Sequence, residues 1–176
     1  MLAGIFLDSE FYKSNNTGIR TFESSTILKE YGANNSVADD LLKDEFEEYI
    51  EVNSIVKNMK TAEYGVVYAI ADPDVIYDSA TIAKAANTCL AMKGIHASFI
   101  IGKINSREIK ISARSDGLVN VSLLCEKMGG GGHFTSAATV FMKSDVKEVE
   151  ETLLTVISTY LKDAKVDVNK ANKEVE

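Results

Sequence analysis

Hydrophobic and polar positions follow two different rhythms along this chain, and the change from one to the other falls near residues 59–64. In the first part, Leu2–Leu7 is a short apolar run containing a glycine, which predicts a buried strand ending at Asp8. Residues 8–21 are polar and loop-like. Phe22–Tyr31 has helical spacing, and Gly32 falls where a helix C′ residue is expected. Asn34, Asn35 and Ser36 then offer an N-cap for a long periodic stretch, Val37–Met59, in which Leu41, Leu42, Phe46, Ile50, Ile55, Val56 and Met59 recur at helical intervals. That spacing predicts one or two helices. Their acidic residues, Asp44, Glu45, Glu47, Glu48 and Glu51, read as a solvated outer face and not as a metal cluster.

From Gly65 onward, strands alternate with helices. Gly65–Ala71 reads as a strand, and Ser79–Met92 as a helix with Ile82, Ala83, Ala86 and Leu90 on one face, ended by Gly94. Ile95–Lys103 and Glu108–Arg114 are strands joined by a short turn at Asn105-Ser106, which predicts an antiparallel hairpin. Val121, Leu124, Cys125 and Met128 mark a helix that stops at Gly129. Ala137–Met142 is a further strand, and Asp145–Lys162 an amphipathic helix carrying Val146, Val149, Leu153, Val156, Ile157 and Tyr160. The order β-α-β-β-α-β-α predicts an α/β fold, an open mixed β-sheet with helices packed on it. Three segments follow from the pattern: a mainly helical part over 1–62, the α/β part over 65–162, and a charged tail over 163–176 expected to be disordered.

Composition narrows the chemistry. The chain has 176 residues, 45% of them hydrophobic, and a net charge of -7. That charge argues against a sequence-independent grip on long nucleic acid, which needs many Lys and Arg against phosphates. It leaves room for a small anion that is neutralised locally. No apolar stretch approaches the roughly 20 residues that span a bilayer, and Met1–Leu7 is too short and lacks the basic flank of a secretory signal. The chain is accordingly expected in the cytosol, without direct membrane contact. Cys89 and Cys125 lie within predicted helices, without a second cysteine at ligand spacing, and read as small buried hydrophobes. His96, alone in an apolar alternating run, is given no role.

The run Gly129-Gly130-Gly131-Gly132-His133 is the most informative local feature. Each glycine in place of alanine costs roughly 0.5–1 kcal/mol in ordering entropy, so four cost on the order of 2–4 kcal/mol if the loop is ordered. A helix stop needs only one, and a flexible linker would be longer and richer in Ser. Backbone without side chains admits a ligand to close range, and consecutive N–H groups can form an anion-binding concavity. His133 at its edge could donate to a phosphate oxygen or stack beside a base. Arg114, in Ser112-Ala113-Arg114-Ser115-Asp116-Gly117, carries a planar fork suited to bidentate phosphate binding, although an arginine at a strand end is often only solvated. Thr135 and Ser136 are either supporting donors or simply the start of a strand.

The segments Ile111-Ser112-Ala113-Arg114-Ser115, Val119-Asn120-Val121, Gly129-Gly130-Gly131-Gly132-His133 and Ala137-Ala138 together resemble the DHH-associated C-terminal domain of the DHH phosphoesterase superfamily, over roughly 65–162. Met1-Leu2-Ala3-Gly4-Ile5-Phe6-Leu7-Asp8-Ser9, followed by Gly18-Ile19-Arg20-Thr21-Phe22, resembles the last motif of the DHH catalytic domain. The resemblance implies that Asp8 is a ligand of one of two manganese ions. It also implies that Arg114, Ser115, Gly129, Gly130, Gly131, Gly132, His133, Thr135 and Ser136 bind the substrate. On its own, an Asp after an apolar run is as readily a turn or cap residue. Among family members the four-glycine form and Arg20-Thr21-Phe22 are most similar to the membrane-anchored cyclic-di-AMP phosphodiesterases, in which a metal-bridged hydroxide would attack phosphorus. Partners implied are a cyclic dinucleotide or short adenine oligonucleotide and the rest of a DHH catalytic domain; a homodimer is allowed.

The chain also departs from the family. It has no Asp-His-His motif, and its histidines are His96 and His133. One carboxylate is too few for a two-metal site, so the expectation is a piece of a longer enzyme, inactive alone and holding no manganese tightly. Two alternatives are the equivalent part of a DHH oligoribonuclease or adenosine-bisphosphate phosphatase, and a non-catalytic nucleic-acid-binding module. The Asp8 motif speaks against the second of these.

Overall fold

The computed structural model describes residues 1–14, 17–43 and 45–173, with side chains as far as 163. Contacts divide the chain between Phe46 and Glu47 into two units, earlier than the 59–64 boundary that the rhythm of the sequence predicts.

The first unit is helical: α1 (Leu2–Asp8), α2 (Ile19–Glu30) and α3 (Asn35–Asp40). The strand predicted at Leu2–Leu7 is instead α1. No strand lies beside it among the described residues of this unit, so an extended segment would leave its backbone groups unpaired. The helix satisfies them locally, with Ile5 N bonded to Met1 O and Ser9 N to Ile5 O. Leu2 and Phe6, one turn apart, are buried with Ala38. Gly32 (φ 89°) takes the left-handed conformation after α2 expected of a C′ residue, and the Asn34 side chain accepts from Ser36 N at the start of α3.

The second unit begins within α4 (Phe46–Val56), so the long periodic stretch is two helices, not one. Of the acidic run, Asp44 lies outside the described residues, and Glu48 accepts from Lys84 at 2.6 Å. Val52 and Ile55 of α4 pack with the α/β core, which explains why all but the first residue of this helix falls in the second unit. The remaining elements are β1 (Lys60–Thr61), β2 (Val66–Ile70), α5 (Ser79–Leu90), β3 (Ala97–Asn105), β4 (Glu108–Ser115), α6 (Val121–Lys127), β5 (Gly131–His133), β6 (Ser136–Met142) and α7 (Val146–Lys173). The strands form one mixed sheet in the order β1-β2-β3-β4-β6-β5, with β2 and β3 parallel and the other pairs antiparallel. This is the α/β fold expected. The backbone of α7 is helical to Lys173, through most of the segment whose composition predicts a disordered tail.

Alternation along the strands sends side chains to two apolar layers. Phe99, Ile101, Ile109, Ile111 and Ala113 face Leu124 and Cys125 of α6 and Val149, Leu153 and Ile157 of α7. Val67, Ala69 and Ile100 face Ile82, Ala85, Ala86 and Cys89 of α5 together with α4. Burying each such large side chain contributes about 1.5–3 kcal/mol. Both cysteines are fully buried, as expected, and burial pushes the Cys89 thiol up to about 11. Ser98, buried on the α5 side, donates to Ala86 O at 2.7 Å and ties that helix to β3. On the same side β6 is left open: Val140 and Met142 are 46% and 59% exposed, whereas Ala137 and Thr139 on the opposite side are buried. No described helix is long and apolar enough to cross a membrane.

Candidate functional site

Directly paired residues of a ladder carry their side chains on the same face, so the register shows which predicted site residues meet. Arg114 pairs with Ser136, and Ser136 with His133. One step along, Ser112 pairs with Ala138 and Ala138 with Gly131. One step further, Lys110 pairs with Val140. All lie on the α5 side of the sheet, where Ser112 is itself buried and the exposed surface belongs to β5 and β6.

The four glycines have different duties. Gly129 (φ 81°) closes α6 in the left-handed conformation, its N–H bonded to Glu126 O. A side-chain carbon on Gly130 would stand 2.2 Å from Ala138 O and 2.3 Å from Thr139 Oγ1. On Gly132 (φ 152°) it would stand 2.5 Å from the Ala137 Cα. Gly129 is thus required by its backbone conformation, and Gly130 and Gly132 by the chain's own packing. Gly131 is not: a carbon added there meets nothing within 4 Å. Its bare face opens onto the row beside Ser112 and Ala138, where a ligand can approach the backbone. The loop expected from the sequence is therefore in part a short edge strand, Gly131–His133.

Arg114 is half-buried, and its Nη1 donates to Ala113 O at 2.9 Å and to Ser112 Oγ at 3.4 Å. The guanidinium is thereby held back along β4 over the sheet. Burial pushes its pKa below the ordinary value, and it stays charged at neutral pH. Among the described residues no carboxylate pairs with it. A planar cation kept on a sheet face without a counter-ion can take an oxyanion with its remaining donors. His133 is exposed at the end of the row, and Ser136 lies between the two.

The other predicted residues fall elsewhere. Ser115 follows Arg114 in the same strand and so points to the opposite, buried face, where its hydroxyl donates to Val119 O at 2.7 Å and accepts from Gly117 N. Its place is structural. Thr135 sits in the turn between β5 and β6, exposed, and its carbonyl accepts from Ser115 N at 2.9 Å. Asp8, in the first unit, ends α1 and is exposed. It lines a cavity with Ser9, Ser14, Thr17, Arg20 and Thr21, ahead of a turn in which Glu10, Phe11 and Tyr12 all have positive φ. Thr17 Oγ1 there has no hydrogen-bond partner. A hydroxyl and one carboxylate do not make a two-metal donor set, and no group of three His, Cys, Asp or Glu is gathered among the described residues. The residues present do not fit the two-manganese centre that the family resemblance implies.

Two features escaped the sequence. Lys110 and Ser112 share the face of Arg114, which the alternation Lys110, Ser112, Arg114 against Ile109, Ile111, Ala113 would have revealed. His96, given no role, has Nδ1 2.7 Å from Asp116 Oδ2. It clasps the end of β4 to the start of β3, and its carbonyl accepts from Asp116 N.

A family model described as the DHHA1 domain matches residues 62–163. The chain is 34% identical over 165 residues to a protein named cyclic-di-AMP phosphodiesterase GdpP from Geobacillus thermodenitrificans, a match covering 94% of this chain and 25% of that protein. It is 33% identical over 162 residues to one named cyclic-di-AMP phosphodiesterase PdeA from Listeria monocytogenes, covering 92% of this chain and 24% of that one. The chain thus spans about a quarter of the length of these relatives. Among solved structures, an exopolyphosphatase-related protein from Bacteroides fragilis shares the fold, with a TM-score of 0.78 at 17% identity, over 89% of this chain and 48% of that one.

Proposed function

We infer that this chain, which belongs to the DHHA1-domain family, supplies the substrate-binding face of a phosphodiesterase that hydrolyses cyclic di-AMP to the linear dinucleotide. The observation that carries the reading is the row of Arg114, Ser136 and His133 beside the open backbone of Gly131. A phosphate of the ligand rests against Arg114, whose fork can grip two oxygens at once. His133 donates to a phosphate oxygen or stacks against an adenine. Gly131 lets the ligand lie against the strand where any side chain would hold it off. The names of the relatives favour cyclic di-AMP as the ligand.

The manganese belongs, in this reading, to a catalytic centre completed by residues of a longer protein, and this chain alone binds without turning over. Calorimetric titration of the chain with cyclic di-AMP tests the binding. Arg114→Ala and His133→Ala should each weaken it while leaving the fold intact, and unchanged affinity in both variants would misplace the site. Manganese-dependent hydrolysis of cyclic di-AMP by the pure chain would contradict the division of labour.

A further inference from the structure

We propose that Lys110 is a second anion contact on this sheet face, so that the site favours a ligand carrying two phosphate groups over one carrying a single phosphate. The inference rests on the reading of the face as a nucleotide site and deepens it. Lys110 stands four residues before Arg114 on β4, with its side chain on the same side of the sheet. Their backbone positions are about 13 Å apart, and each head group has its own anchor, so the two can take separate anionic groups of one ligand.

Each head group is tethered separately. Lys110 Nζ donates to Ser79 Oγ at the start of α5, whereas Arg114 is held by Ala113 O and Ser112 Oγ. A single phosphate seated on Arg114 therefore leaves Lys110 unneutralised unless it abandons its tether. Neither cation is in an ion pair with a carboxylate among the described residues. Burial, and then the charge of Arg114, push the Lys110 ammonium below its ordinary value, with Asp78 opposing them. Two partly desolvated like charges near one another are unfavourable by themselves, and a chain with net charge -7 has no shortage of acidic residues to pair them with. An anion with two charged groups relieves both.

The surroundings point to the class of ligand. The ladder partner of Lys110 is Val140, and Val140 and Met142 expose apolar surface on the same side of the neighbouring strand. Apolar surface beside a cation suits a nucleobase attached to its phosphate more than a bare polyphosphate.

The test is calorimetric titration of the full chain, wild type, Lys110→Met and Lys110→Arg, with cyclic di-AMP, which has two phosphodiester groups, and with ApA, which has one. Lys110→Met keeps the apolar stem, and unfolding by urea shows whether it keeps the fold. Loss of one charge-assisted contact should weaken cyclic di-AMP binding by about tenfold or more, against less than about threefold for ApA. Lys110→Arg should recover most of the loss. Parallel losses for both ligands, or no loss for either, would overturn the role of Lys110 and leave the functional reading standing. If wild type binds neither dinucleotide, the functional reading fails and this inference with it. If inorganic tripolyphosphate binds as tightly as cyclic di-AMP, with the same dependence on Lys110, the ligand class is wrong.

Discussion

Gly132 lies against Ala137 so closely that a side-chain carbon on the glycine would stand 2.5 Å from the Ala137 Cα. The two face each other across the β5–β6 ladder, and this contact draws the edge strand onto the sheet. Its neighbour Gly131 has open space where Gly132 has none. The four-glycine run is thus two kinds of residue under one letter.

That division gives the first prediction. Gly132→Ala should destabilise the fold by about 1–3 kcal/mol through overpacking, and Gly130→Ala should do likewise. Gly131→Ala should leave stability within about 0.5 kcal/mol of wild type while weakening cyclic di-AMP. Urea unfolding of the three variants checks the first part, and calorimetry on Gly131→Ala the second.

Ser115 is the next case. Its hydroxyl is buried and bonded to Val119 O, and Val119 loses that donor if the hydroxyl is removed. Ser115→Ala should lower stability by about 1–2 kcal/mol with affinity for cyclic di-AMP unchanged. An intact fold with lost affinity would return Ser115 to the site that the family resemblance gave it.

The clasp between His96 and Asp116 predicts a pH dependence. Burial acts to raise the Asp116 carboxyl, but the hydrogen bonds from His96 and Leu118 N and the charge of His96 together hold it below the usual carboxylate range. A carboxyl held below its unfolded value near 3.9 stabilises the fold above that value and loses the contribution as pH falls through the folded pKa. The stability difference between wild type and Asp116→Asn should therefore be present above about pH 4 and shrink below it. Both side chains are 39% exposed, so solvent keeps the difference small. Urea midpoints from pH 3 to 7 measure it, and a difference that grows on acidification would contradict the sign.

Much of the second unit is legible in the sequence because its side chains announce their faces. The hairpin β3–β4 and the helices α5 and α6 carry clean two- and near-four-residue rhythms, and the structure has them within a few residues. Strand β5 was illegible, since glycines carry no side chains to alternate, and β1 is two residues long. The apolar run Leu2–Leu7 is ambiguous in sequence because a short stretch with few polar positions suits either period, and no strand lies beside it among the described residues of the first unit. Within the site, Arg114 and the glycine run were visible as residue types out of place. Ser115 stands beside Arg114 in the motif but on the other face of the sheet, because neighbours in a strand face opposite ways. The same parity hid Lys110.

The most direct test of the central claim, that the face bearing Gly131 and Arg114 binds an adenine dinucleotide, is an amide NMR titration of the chain with cyclic di-AMP. Perturbations should centre on Gly131, His133, Arg114 and Ser136, and Arg114→Ala should reduce them at the same ligand concentration. Perturbations centred on α6 and α7, on the other side of the sheet, or on the cavity around Asp8 and Arg20 would contradict the account.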